Sequence, residues 1–217
     1  MITTPDLIES LVANAAPVRR LRPPLARAMG WLLFAALILA LLAVSRGVRP
    51  DLALRVQQSV FVIGIAASLA TGVLAAVASF IVSVPDRSQR WLLLPVPALL
   101  VWLATVGYGC LTAWVSIGPD GISLGETARC FATLVLVGAP LSLAMLIMLR
   151  YAALLSPTPV AITGSLAVAA MTATALSLFH ELDATAMVLT WNVGVAALLV
   201  GLGGLYGRRM FSWVAPH

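Results

Sequence analysis

The residues able to do chemistry are few in this chain. Phe179-His180-Glu181-Leu182-Asp183-Ala184 puts an imidazole and two carboxylates within four positions, and His180 is the only histidine besides the terminal His217. Such a group can bind a cation or change its charge with pH. The same residues also suit a short interfacial turn in which Asp183 caps the following helix. Cys110 and Cys130 are the only thiols. A Cys–His set suits soft metals, whereas each cysteine alone serves equally well as a small packing residue. Arg129, directly before Cys130, would favour the thiolate. No phosphate-cradling glycine loop, paired catalytic carboxylates or clustered zinc spacing can be read, and no nucleophile–base pair either. The expectation is a protein that is not an enzyme and carries no cofactor.

The elements that must position these residues are apolar runs, at roughly 28–45, 59–83, 91–115, 130–149, 159–180 and 186–206. Each has about the length a helix needs to cross roughly 30 Å of hydrocarbon. None shows a polar stripe at helical spacing, so their surroundings must be lipid. The composition agrees: 61% hydrophobic and 10% charged residues. The expected fold is all-α and polytopic, with six transmembrane helices and a short amphipathic N-terminal helix. Its expected parts are a cytoplasmic segment 1–27, a membrane domain 28–210 and a tail 211–217.

The net charge of +5 comes from arginines alone, since the chain has no lysine. They flank the runs, which reads as interfacial anchoring and not as direct nucleic-acid binding. With the N-terminus inside, Arg19, Arg20, Arg22, Arg27, Arg87, Arg90, Arg150, Arg208 and Arg209 fall on the cytoplasmic side. Arg46, Arg49, Arg55 and Arg129 fall on the other. This excess predicts that both termini face the cytoplasm, and it sets Cys110, Cys130 and His180 toward the outer face. Asp6 and Glu9 precede the basic cluster, so the N-terminus is expected to be retained and not cleaved as a signal.

Two interruptions are expected to shape the runs. Pro95, Pro97 and Pro140 should kink or break them, and Ser156-Pro-Thr-Pro159 should break the chain before the fifth. The stretch 117–128 is rich in turn residues, and loop 46–58 has room for a short helical piece. No Asp, Glu, Arg or Lys is expected deep in hydrocarbon. That argues against a proton-coupled carrier or pump. Trp191 and Asn192 read as structural, the amide seeking a bond between helices.

Residues 1–15 are the one stretch suited to a water-exposed helix. Thr4 and Pro5 can open it, Asp6 and Glu9 complement its dipole, and Leu7, Ile8, Leu11 and Val12 share a face. Such a helix lies on membrane lipid or docks a soluble partner; its two carboxylates disfavour anionic lipid. The basic linker Pro17-Val-Arg-Arg-Leu-Arg-Pro-Pro24 follows.

Four stretches together resemble the negative-regulator-of-sigma-F family of integral-membrane anti-sigma factors. They are Asp6-Leu-Ile-Glu-Ser-Leu with Pro17–Pro24; Leu92-Leu-Leu-Pro-Val-Pro-Ala-Leu-Leu-Val-Trp102 leading to Gly109-Cys110; Arg129-Cys130-Phe131; and His180-Glu-Leu-Asp183 followed by Met187 and Trp191. The resemblance implies a six-span protein of the bacterial inner membrane. It implies that Asp6, Leu7, Ile8, Leu11, Val12, Arg19, Arg20 and Arg22 help hold an extracytoplasmic-function sigma factor. It further implies that outer-face Cys and His residues sense a periplasmic metal ion or oxidant, matched here at Cys130 and His180 as metal ligands; Cys110, Glu181 and Asp183 join them as signal-sensing candidates by residue type and side. Some members place a cysteine directly after the histidine, where this chain has Glu181. The competing expectation is a small-molecule transporter or channel component. It would require Thr71, Ser79, Thr105, Tyr108, Ser142, Thr172 and Asn192 to line one shared cavity.

Overall fold

The computed structural model describes residues 22–113, 124–150 and 157–179, with Thr4, Glu9, Val12 and Ala13. The described chain forms α1 (Pro24–Arg46), α2 (Leu52–Arg55), α3 (Ser59–Val82), a 3₁₀ turn (Gln89–Leu93), α4 (Val96–Ala113), α5 (Leu124–Leu149) and α6 (Pro157–Phe179). No strand occurs among the described residues. Among the described residues five stretches are long and apolar enough to cross a membrane: Pro24–Ser45, Ser59–Val82, Gln89–Tyr108, Ala132–Leu149 and Thr158–Phe179. The described part of the chain is therefore all-helical, and its spans make it a membrane protein. The expected sixth run, with Trp191 and Asn192, lies outside the described residues.

Helix ends follow local chemistry. Proline lacks the N–H that a first helical turn leaves unpaired, so Pro24 and Pro157 open α1 and α6. Pro95 and Pro97 act the same way in the third run. They do not kink a long helix; they separate the 3₁₀ turn from α4. At the other end of α1, Gly47 adopts φ +75° and donates its N–H to the Ala43 carbonyl at 3.1 Å. An L side chain there would be strained. Loop 46–58 does contain the expected helical piece, α2.

Three sequence expectations need correction. α1 starts at Pro24, before the apolar run at 28, and so draws Arg27 into a membrane-spanning helix. α5 starts at Leu124, inside the turn-rich stretch 117–128. The turn signals end early there. Pro140 does not end α5, which runs on for nine more residues. Neighbouring helices support it: Trp31 Nε1 donates to the Leu141 carbonyl at 3.1 Å, fully buried.

α6 is the axle of the bundle. Of its membrane window 67% is buried, against 11–33% for the other four. It packs most closely on α3, then on α5 and α1, while α4 packs on α3. Small residues permit the close α3–α6 approach: Ala67, Ser68, Thr71, Gly72, Ala75, Ala76 and Ser79 on one side, Gly164, Ala167, Ala170 and Ala175 on the other. At Gly72 a Cβ would stand 3.1 Å from Met171 Cγ. Outward-facing Leu33, Leu37, Leu41, Leu100 and Leu143 are exposed in the isolated bundle, as lipid-facing side chains should be.

Candidate functional site

The helices alternate in direction, and specific contacts fix their register. Ser68 Oγ and Thr174 Oγ1 lie 2.9 Å apart, and Ser79 Oγ donates to the Val160 carbonyl at 3.2 Å. α3 and α6 are therefore antiparallel. Gly138 faces Thr172 and Gly164 faces Met145, so α5 and α6 are antiparallel too. Gly64 faces Thr105, and Ala67 and Trp102, three residues further along each helix in opposite senses, share one buried cluster, so α3 and α4 are antiparallel as well. One end of the bundle thus gathers the close of α1, loop 47–58, the close of α4, the start of α5 and the close of α6.

This end carries the helix positions of Cys110 and Cys130. Continuing the α5–α6 register from Gly138 and Thr172 by about two turns brings the level of Cys130 to Phe179. Phe179 ends α6 and directly precedes His180. Cys130 lies on the second turn of α5, and Cys110 on the last turn of α4. α4 packs chiefly on α3 and α5 on α6 and α1, so the two cysteines rise on helices that are not principal neighbours. His180, Glu181 and Asp183 lie outside the described residues, as do the side chains of both cysteines. Among the described residues no group of three His, Cys, Asp or Glu is placed to hold a metal.

Loop 47–58 is a folded piece of this same end. The Arg49 N–H donates to the Leu178 carbonyl at 3.3 Å, tying the loop to the last turn of α6. The Arg49 guanidinium is buried and meets Asp51 in bidentate fashion, Nε–Oδ1 at 2.6 Å and Nη2–Oδ2 at 2.7 Å. Its Cζ stands 5.8 Å from the centroid of the Phe61 ring. Arg55, one turn on, reaches Asp51 Oδ2 at 3.4 Å. The Arg49 hydrogen bond, and less so Arg55, holds the Asp51 carboxyl down at about 2, below its ordinary 3.8. Sequence reasoning passed over this network. The Asp51–Arg55 spacing of one helical turn was its visible signal.

The opposite end holds the root of the N-terminal segment. Val12 is helical and 71% exposed, and Arg22 is exposed just before α1. Asp6, Leu7, Ile8, Leu11, Arg19 and Arg20 lie outside the described residues. Arg27 is buried here. Its Nη2 donates to the Met148 carbonyl in the last turn of α5, and its Cζ stands 5.2 Å from the Phe80 ring centroid. It too was missed, because the apolar run was counted from residue 28.

The hydroxyls named for a transport path differ in exposure among the described residues. Thr71, Ser79 and Thr172 are buried along α3–α6, Thr105 and Ser142 are half-buried, and Tyr108 is exposed. Thr71 donates to the Ala67 carbonyl, Thr172 to Val168 and Thr105 to Trp102, at 2.7, 2.8 and 2.7 Å. Asn192 lies outside the described residues.

Residues 11–213 match the family model described as negative regulator of sigma F. The chain belongs to the negative regulator of sigma F family. No curated protein and no solved structure matches it. Membership spans the whole bundle and both of its ends, in agreement with the resemblance carried by the four sequence stretches. It makes the chain a negative regulator of a sigma factor, built as a membrane protein.

Proposed function

We propose that the chain is a non-enzymatic, membrane-bound anti-sigma factor of the bacterial inner membrane. Residues 5–24 hold an extracytoplasmic-function sigma factor at the cytoplasmic face. The apolar side chains Leu7, Ile8, Leu11 and Val12 form the contact, and Arg19, Arg20 and Arg22 add charge. Asp6 and Glu9 orient the helix through its dipole. A sixth span, 186–206, returns the C-terminus to the same side. An envelope signal, a metal ion or an oxidant, acts at Cys130 and His180 with Glu181 and Asp183 nearby, and the hold weakens.

The observation that carries this reading is the α5–α6 register, which supports placing Cys130 level with the end of α6. A ligand bound there would meet two helices at once. The same two helices close, at the other end, around the root of the N-terminal segment. A change in their relative position is therefore available to residues 1–27, provided that the two arrangements bind the sigma factor unequally.

The test is retention of the sigma factor on membranes. Leu11→Asp removes an apolar anchor worth about 1–3 kcal/mol and places a charge on the contact face. The variant should insert normally and let the sigma factor go into the soluble fraction. Retention equal to that of the unsubstituted chain would refute the assignment of the N-terminal segment.

A further inference from the structure

Arg27 is the only charged side chain, among the described residues, that is buried within a membrane-spanning helix. It is 8% exposed. Burial of a guanidinium is costly unless its donors are met and its charge is balanced. Nη2 meets the Met148 carbonyl, one of the carbonyls that the end of α5 leaves without a helical partner. The Phe80 ring face adds a weak cation–π attraction. Nη1 is buried and has no hydrogen-bond partner. Neither contact supplies a negative charge.

The described part of the chain offers no carboxylate to finish the job. Glu9 and Asp86 are both exposed, and neither bonds to Arg27. The other described charges that follow or precede these helix ends are Arg22, Arg87, Arg90 and Arg150, all of one sign. The acceptor for Nη1 must be an anion that this end of the bundle attracts and that is present at this depth. Arg27 stands in the first turn of one spanning helix, and its partner Met148 in the last turn of another. That is the level of the lipid headgroups.

We infer that Arg27 is the core of a binding site for an anionic phospholipid, whose phosphate accepts from Nη1 while Nη2 stays on Met148. A phosphodiester is an acceptor-only anion that matches the guanidinium fork. A lipid also arrives tethered at the required depth, which free phosphate does not. Basic recesses between spanning helices take headgroups by this chemistry. The site does not depend on the sigma-factor reading.

The full chain, purified in detergent, would be titrated with phosphatidylglycerol and separately with phosphatidylcholine, and bound lipid counted by native mass spectrometry. Both lipids carry a phosphodiester, but in phosphatidylcholine the choline cation cancels its charge, so the net attraction should favour phosphatidylglycerol about tenfold. Arg27→Met should abolish the preference, and Arg22→Gln, at an exposed position, should keep it. Should Arg27→Met fail to fold, Arg27→Lys retains the charge without the fork and should lose most of the preference. Four results would overturn the site. They are no preference in the unsubstituted chain, an undiminished preference in both Arg27 variants, equal losses for Arg22→Gln and Arg27→Met, and displacement of bound lipid by inorganic phosphate alone at millimolar concentration. A loss of sigma-factor binding in Arg27→Lys with lipid preference intact would instead assign Nη1 to a protein carboxylate, and would also overturn it.

Discussion

Ser68 Oγ and Thr174 Oγ1 meet at 2.9 Å in the middle of the α3–α6 seam, both fully buried. Each hydroxyl has one proton and also a carbonyl within reach in its own helix, Ile65 for Ser68 and Ala170 for Thr174, so one of them donates across the seam while the other donates within its helix. Neither hydroxyl is therefore orphaned when the other is removed. A double-mutant cycle with Ser68→Ala and Thr174→Ala should give a coupling of about 0.6 kcal/mol, and no more than about 2. Unfolding in mixed micelles would measure it. A coupling near zero would show that the seam is held by packing alone.

Of the two glycines in that seam, Gly72 is the tighter. A Cβ there would stand 3.1, 3.2 and 3.3 Å from Met171 Cγ, Cε and Sδ. Gly72→Val should destabilise the bundle by about 1–3 kcal/mol through overpacking. Gly138→Ala should be tolerated, because its Cβ would meet Thr172 Oγ1 at an ordinary 3.6 Å. Thermal unfolding of the two variants side by side checks the contrast.

Asp51 gives loop 47–58 a defined acid limit. Its folded carboxyl titrates at about 2, against 3.8 for the free group, chiefly because of Arg49. A depressed carboxylate contributes stability above its unfolded value and loses it as pH falls through the folded one. Amide exchange in loop 47–58, corrected for its intrinsic pH dependence, should therefore report constant protection from pH 7 to about 4 and falling protection from there to about 2. Asp51→Asn should show lowered protection throughout and lack that acid step.

Much of this architecture is legible in the sequence because hydrocarbon imposes one rule, that backbone bonds be satisfied within a helix. Runs of about twenty apolar residues then mark the described spans within a few positions. The same rule explains what was missed. Prolines read as breaks, yet Pro157 and Pro97 fall in first turns, where no N–H is needed, and Pro140 is carried by its neighbours. Arg27 and Arg49 looked like flanking anchors. Their burial depends on which helix end or ring lies across from them, and no local pattern encodes that. The convergence of Cys130 and the end of α6 is likewise a property of register between helices.

Cys130→Ser separates signalling from packing. The change is nearly isosteric, and at an interfacial position should alter stability by about 1 kcal/mol or less. The variant should express normally, retain the sigma factor, and fail to release it on challenge with cadmium, chromate or an oxidant. A normal release response would remove the thiol from the mechanism.

The arginine asymmetry, nine against four, predicts that both termini are cytoplasmic. A C-terminal alkaline phosphatase fusion should be inactive, and a fluorescent-protein fusion bright. Active phosphatase would reverse the C-terminal side and require an odd number of spans or an inverted chain.

The burial of α6 bears on how the chain is made. α6 is the least apolar of the spanning helices after averaging over its membrane window, and it carries Thr163, Thr172, Thr174 and Ser177. Alone in lipid it would partition less readily than α1 or α3. It also leaves the ribosome last of the five. By then α1, α3, α4 and α5 have been synthesised, and the small-residue face of α3 is there to receive it. Its insertion is thereby coupled to assembly: a chain altered along α3 would meet its difficulty at α6, a hundred residues after the lesion, and quality-control proteases would find the damage there.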